Sequence, residues 1–357
     1  MNYQKLLKSK TYINDLNKVF TTYDFSFLKG KSLLITGSLG LIGSCLIDFL
    51  LLHNAYFNSK VYAIVRNMTL AKDRFSALDT TNLTLIKQDI NEPFNLDIKV
   101  NYIINCASNT HPNDYSLKPI DTILTNVIGL NNMLMLASNT KCDKFIDMSS
   151  VEIYGENKGD VFAFKEDYLG YIDCNTLRAG YNESKRLGEA LCQAYIKEKG
   201  LNISIIRLAR AFGPTMKMSD SKVSSQFIKN VLRNEDITLK SKGEQVFSYI
   251  YSIDAVSASL FLLKHGKSKE AYNVSNNNAN ISLKELASKM ASFNNKKVIF
   301  DLPNETEKDG FSKATTAVLN IDKILSLGWQ PIFDLDTSIS HTIKILRESC
   351  DKNDLLY

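Results

Sequence analysis

Thr36-Gly37-Ser38-Leu39-Gly40-Leu41-Ile42-Gly43 is the stretch that decides the fold. Its glycines stand at 37, 40 and 43, between an apolar run at 32–36 that reads as a strand and a helical pattern over 41–52. In such a turn the first glycine permits the tight bend and the second lets backbone amides approach a pyrophosphate. The third lets helix and strand pack closely. A helix N-terminus then favours the negative charge. Gly37, Ser38, Gly40, Leu41, Ile42 and Gly43 are therefore the expected phosphate loop, and a dinucleotide is its expected ligand.

Outward from the loop, 61–65 is a continuous apolar run, as a strand covered on both faces requires. Further strands are expected at 83–87, 102–105, 144–148 and 203–208, with helical patterns at 119–138 and 181–199. That alternation predicts an α/β fold, a Rossmann-type doubly wound parallel sheet. Residues 1–30, with apolar Leu6, Leu7, Tyr12, Ile13, Leu16 and Phe20, read as a helical extension. Residues 31–213 read as the dinucleotide-binding domain, joined by a late strand and helix from about 245–265. Residues 214–357 read mainly as a smaller α/β substrate-binding domain.

Ligands in such sheets bind at the carboxyl ends of strands. Arg66 and Asn67 follow the second strand, where an acid would bond ribose hydroxyls and an arginine could accept a 2′-phosphate, so the cofactor is expected to be NAD or NADP. Asp89 and Ile90 are placed to touch adenine, and Cys106, Ala107 and Ser108 to line the nicotinamide half. Asn126 is expected to bond backbone between neighbouring loops.

Tyr181 and Lys185, four residues apart, share a face if 181–199 is helical. A lysine ammonium beside a phenol lowers its pKa and makes tyrosine a usable acid/base near neutrality. The pattern gains meaning from its place downstream of the glycine loop and of Ser149-Ser150.

Composition narrows the class. The 357 residues are 44% hydrophobic and 23% charged, ordinary for a soluble globular protein. The net charge of +5 comes from scattered lysines, which gives no reason to expect nucleic acid and suits a cleft for an anionic small substrate. The six cysteines show no metal-binding or disulfide spacing, so no metal is expected and a reducing cytoplasm is. The polar N-terminus has no signal-peptide core and the run 46–52 is too short for a bilayer, so no membrane association is expected.

The motifs T-G-S-L-G-L-I-G (36–43), M-S-S-V-E-I-Y-G (148–155), Y-N-E-S-K (181–185) and R-A-F-G-P (210–214) together resemble the extended short-chain dehydrogenase/reductases, the NAD-dependent epimerase/dehydratases of nucleotide sugars. Residues 112–137 and 213–223 look most like the UDP-glucuronate decarboxylases among them. The resemblance implies a nucleotide-diphosphate sugar as substrate and a homodimer formed through a two-helix contact. It implies Tyr181 as base on a sugar 4-hydroxyl, Lys185 on the nicotinamide ribose, Ser150 on the same substrate oxygen, and Glu152 as base or substrate ligand. His111, Ser149, Arg210, Lys222 and Tyr251 are the substrate contacts it suggests, Arg210 and Lys222 toward the diphosphate. Oxidation at C4 would acidify the neighbouring C–H and labilise a carboxylate beta to the ketone, opening epimerisation, dehydration or decarboxylation.

Two departures steer the choice. Val151 stands where dehydratases carry an acid, and valine cannot protonate a leaving hydroxyl. Phe247 stands where relatives commonly have an arginine. The leading expectation is an epimerase-like enzyme, with decarboxylation or NADPH-dependent keto-sugar reduction as alternatives. A non-catalytic dinucleotide sensor is the reading from another class, and a sensor has no chemical need for Ser150, Tyr181 and Lys185 together.

Overall fold

The computed structural model describes residues 3–93, 96–110, 117–301 and 315–351. The strands are β1 (Ser32–Thr36), β2 (Lys60–Val65), β3 (Leu83–Lys87), β4 (Tyr102–Asn105), β5 (Lys144–Ser150), β6 (Ile203–Leu208) and β7 (Arg210–Phe212). They continue with β8 (Ile237–Leu239), β9 (Val246–Tyr251), β10 (Ala271–Val274), β11 (Asn280–Ser282), β12 (Val298–Phe300) and β13 (Thr316–Ala317). Seven of them form one sheet in the order β10-β6-β5-β4-β1-β2-β3. Every pairing in it is parallel.

A parallel sheet needs a crossover after each strand, and the crossovers cover both faces. On one face Leu33, Ile35, Ile104, Ile146 and Ile206 pack with Leu46, Phe49 and Leu260 from helices Leu41–Leu52 and Ser252–His265. On the other, Leu34, Ile103, Phe145 and Ile205 pack with Leu130, Met133, Cys192 and Ile196. These come from the continuous helical stretch 119–139 and from helix Ala179–Lys199. The 119–139 stretch is long and apolar enough to cross a bilayer by length and composition. Leu130, Met133, Leu134, Leu136 and Ala137 in its second half are nevertheless taken up by this core.

From β1 the chain builds outward to β2 and β3, then returns to the other side of β1 with β4. The crevice at the carboxyl ends of β1 and β4 is thus the switch point, where such sheets hold ligands. The N-terminal extension folds as helices Tyr3–Leu6 and Lys10–Thr22. It is fastened by Tyr12, whose hydroxyl donates to Asp48 at 2.7 Å, and by Asp15, which accepts from the Tyr251 hydroxyl at 3.0 Å.

The late segment behaves differently from expectation. Helix Ser252–His265 does pack on the main sheet, against helix Leu41–Leu52, but the strand before it, β9, joins a second sheet with β7, β11 and β13. The seventh strand of the main sheet is β10, delivered beside β6 after that helix. β9 is held away because β7 continues directly from β6 and pairs with it, Arg210 opposite Tyr249.

Candidate active site

A cleft of about 920 Å³ opens at the switch point between the two sheets. Gly37 and Gly43 shape its floor. Gly37 has φ +62°, and a Cβ there would lie 2.6 Å from the Cys106 carbonyl oxygen. A Cβ on Gly43 would lie 2.4 Å from the Gly37 oxygen, so the loop closes against strand and helix only without side chains. Helix Leu41–Leu52 begins directly after Gly40 with no side-chain cap on its first turn. This cradle fits a pyrophosphate, whose oxygens need close-approaching amides and a helix N-terminus.

The other expected cofactor residues line the same cleft. Arg66, Asn67, Asp89, Ile90, Cys106, Ala107 and Ser108 all reach it, as do Ser38, Gly40, Leu41 and Ile42. Several are held from behind. The Ser38 hydroxyl donates to the Ile35 carbonyl at 2.8 Å, and the Asn67 side chain caps helix Met68–Phe75 by accepting from the Leu70 amide at 2.9 Å. Ser108 donates to Asn126 Oδ1 at 2.7 Å, while Asn126 Nδ2 donates to Ser184 Oγ at 2.9 Å. Asn126 therefore bridges two side chains, where backbone bonding was expected. It stands in a π-helical turn, Thr125–Gly129, that widens the helix toward Ser184.

Beyond the nicotinamide-side residues Cys106, Ala107 and Ser108 expected from sequence, Ser149, Ser150, Glu152, Tyr181 and Lys185 line the same cleft. Helix Ala179–Lys199 puts Tyr181 and Lys185 on one face, both nearly buried, and Lys185 Nζ donates to the Met148 carbonyl at 2.7 Å. Ser150 ends β5, and its Oγ accepts from the Glu152 amide at 3.2 Å. Ser149 lines the cleft, but its hydroxyl donates to Glu189 Oε1 at 2.6 Å, part of the pair that Glu189 makes with Arg207 at 2.7 Å.

Glu152 is gripped by two arginines. Arg210 Nη2 donates to its Oε1 at 3.2 Å, and Arg178 Nη2 lies 3.7 Å from its Oε2. The Arg210 guanidinium lies over the Phe247 ring, 3.7 Å from the centroid, and its buried Nη1 has no hydrogen-bond partner among the described residues. Buried guanidinium N–H groups left unpaired are costly, so this one is suited to an acceptor brought by a ligand. Lys222 also lines the cleft, 3.9 Å from Asp220 Oδ2, with Lys217 nearby.

One expected substrate residue does not join them. Tyr251 does not line the cleft. It is buried behind it, its hydroxyl given to Asp15 of the N-terminal helix, and burial together with the Asp15 charge pushes its phenol well above the ordinary range. His111 lies outside the described residues. Arg178, by contrast, was missed. It precedes Tyr181 by three residues, and that helical spacing is the signal that could have found it.

A phosphate cradle at the switch point, with a Ser–Tyr–Lys group in the same cleft, defines a dinucleotide-dependent enzyme of the short-chain dehydrogenase type. A model of the NAD dependent epimerase/dehydratase family matches residues 33–275, and the chain belongs to that family. The chain is 30% identical to UDP-glucuronic acid decarboxylase 1 of Xenopus tropicalis over 90% of its own length and 73% of that protein. It is 33% identical to UDP-glucuronic acid decarboxylase 6 of Arabidopsis thaliana over 70% and 71% of the two chains. Among solved structures, UDP-glucose 4-epimerase of Thermotoga maritima with UDP-glucose superposes with a TM-score of 0.76 at 23% identity, covering 90% of this chain and all of that one. UDP-glucuronic acid 4-epimerase of Bacillus cereus, in complex with UDP-glucuronic acid and NAD, gives 0.75 at 21% identity, covering 89% and 99%. At those identities the structural likeness is one of fold.

Proposed function

We propose that the chain is an NAD(P)-dependent enzyme that oxidises the C4 hydroxyl of a nucleotide-diphosphate sugar, with epimerisation as the outcome. The observation that carries this reading is the meeting of Ser150, Tyr181 and Lys185 with the glycine cradle in one cleft. The dinucleotide would lie over Gly37–Gly43, with Arg66 and Asn67 at its ribose and Cys106–Ser108 along its nicotinamide half. When bound, it supplies the acceptor for hydride. Tyr181 takes the hydroxyl proton on its phenolate oxygen, Ser150 Oγ orients that hydroxyl, and the Lys185 charge favours the phenolate. Arg210 Nη1, Lys217 and Lys222 neutralise the diphosphate.

Epimerisation at C4 itself needs only the removal of this proton and a hydride and their return with hydride on the opposite face, with no acid or base beyond this group. Val151 offers none for loss of a hydroxyl, and Glu152 is held in ion pairs by Arg178 and Arg210. Decarboxylation is the second reading. The curated relatives support it, as does an arginine pair suited to a sugar carboxylate. Incubation with NAD or NADP and a panel of UDP-, GDP-, CDP- and dTDP-sugars separates the readings by mass and NMR. An isomer of equal mass is expected. Loss of carbon dioxide would replace epimerisation by decarboxylation, and no conversion of any sugar would end the proposal.

A homodimer is part of the same reading. Ile120, Leu124 and Ile128 on the 119–139 stretch are exposed, as is Leu187 on the adjacent helix, so a second copy can pair these two helices. The six cysteines are free, which suits a reducing cytoplasm.

A further inference from the structure

The loop that carries Lys217 and Lys222 rests on a buried lysine that no role above uses. Residues 217–222 lie in the connection from β7 to helix Val223–Arg233, and Lys217, Asp220, Ser221 and Lys222 line the cleft. They belong to no strand or helix, so their backbone groups need other partners. Some come from within the loop. The Asp220 amide donates to the Lys217 carbonyl at 3.0 Å, and the Lys222 amide donates to Asp220 Oδ1 at 2.9 Å. Asp220, 3% exposed, is thus the residue on which both lysines turn, and Lys222 Nζ lies 3.9 Å from its Oδ2.

The remaining partners come from the helix that follows. Side chains on a helix lean back toward its N-terminus, and residues three apart share a face. Gln226 and Lys229 are such a pair, and both donate to the Asp220 carbonyl, Gln226 Nε2 at 3.3 Å and Lys229 Nζ at 2.9 Å. Lys229 Nζ also donates to the Met218 carbonyl at 3.2 Å. Lys229 is 6% exposed and does not itself line the cleft, so it holds the loop from behind.

This placement breaks two habits of lysine. A helix lysine beside a core ordinarily lays its stem along apolar surface and keeps its ammonium in water. A cation near a helix N-terminus is also opposed by the helix dipole. Burial lowers the Lys229 pKa, the Arg233 charge adds to this, and Asp220 opposes it. The helix already buries Phe227, Ile228 and Val231 in the core, and its packing does not call for a charge at 229. What Lys229 does provide is a tie across two carbonyls. It also adds a third cation to Lys217 and Lys222, against Asp220 as the one acid of the loop. Such a surplus suits a ligand with more than one negative charge.

We propose that Lys229 is a positioning residue that clamps the 217–222 loop, fixing the backbone from which Lys217 and Lys222 reach a substrate diphosphate. The diphosphate rests on the functional reading given above, whereas the clamp does not. With its carbonyl pinned, Asp220 keeps the turn to Lys217 and the bond to the Lys222 amide in place. The backbone is then ordered before substrate arrives, and only the side-chain ends have to move.

The test is Lys229→Met on the full chain, which keeps an unbranched stem and removes the donors. Hydrogen exchange read by mass spectrometry is expected to be about tenfold faster than in the wild type for amides in 216–223, and unchanged for the glycine loop. For a nucleotide sugar that the wild type converts, KM is expected to rise about tenfold with kcat within about twofold, because the lost contacts serve binding and not the chemical step. Unchanged exchange in 216–223, or an equal gain in the glycine loop, would overturn the clamp. Faster exchange there with KM unchanged, or with kcat falling in its place, would overturn the positioning role. Lys229→Gln, too short to reach both carbonyls, provides the same readouts if the methionine variant fails to fold. Conversion of a sugar by the wild type with unchanged loop exchange in the variant would sink the clamp alone. Faster loop exchange without conversion of any sugar by the wild type would sink the functional reading alone.

Discussion

The two walls of the cleft are built from different materials. The wall formed by β1, β2, β4 and helix Ala179–Lys199 presents backbone and compact groups, each braced from behind. Ser38 is tied to Ile35, Ser108 to Asn126 and Lys185 to Met148. The opposite wall, from Arg210 to Phe247, presents long cations held by other charges or by a ring. The first is shaped for one ligand geometry before that ligand arrives. Under the proposed function the second exchanges its internal ion pairs for a substrate's anions, which puts chemistry on one side and specificity on the other.

The sharpest way to break the contrast is Gly37→Ala. A Cβ at φ +62° and 2.6 Å from the Cys106 oxygen must strain the loop. Such strain costs about 1–3 kcal/mol, so NAD binding measured by calorimetry should weaken by roughly 10- to 100-fold. Arg210→Ala addresses the other wall. Loss of a charged hydrogen bond should raise KM for the nucleotide sugar about 10-fold or more while leaving NAD affinity unchanged. Equal loss in both constants would mean that the walls are not separable.

Outside the cleft, Ile120→Glu with Leu124→Glu should convert a dimer to a monomer in sedimentation, with the fold kept by circular dichroism. A monomeric wild type would remove the dimer proposal.

The smallest effect concerns the joint between the walls. Asp254 begins helix Ser252–His265 and accepts from the Ile332 and Phe333 amides at 2.8 and 3.3 Å. Burial raises its carboxyl to about 7, the two amide bonds oppose this, and the nearby Asp15 adds to the rise. The folded state therefore holds this proton more tightly than the unfolded chain does. Its contribution is complete below pH ~4 and is lost as pH rises through about 7. Urea melts at pH 5 and pH 8 should show Asp254→Asn gaining on the wild type at the higher pH. An unchanged gap would mean that Asp254 does not titrate there.

Legibility follows the same division. The glycine loop, the Leu41–Leu52 helix and the Tyr181–Lys185 face could be read in sequence because their meaning is local, set by turn chemistry and helical period. Tyr251 could not. Phe247 and Tyr249 line the cleft from β9, and alternation carries Tyr251 to the same side. The strand instead ends there, and its hydroxyl is claimed by Asp15, distant in sequence. Lys229 was hidden for a related reason. It looks like an ordinary helix lysine until the fold sets it behind the 217–222 loop. Arg178 had a local signal in its spacing from Tyr181, and Asn126 acquired its bridge only through the π-turn.

The most direct test of the central claim is Tyr181→Phe on the nucleotide sugar that the wild type converts. Turnover should fall by about 100- to 10,000-fold while NAD binding and the melting temperature stay within error of the wild type. Turnover retained within a few-fold of the wild type would contradict a tyrosine-dependent oxidation at C4.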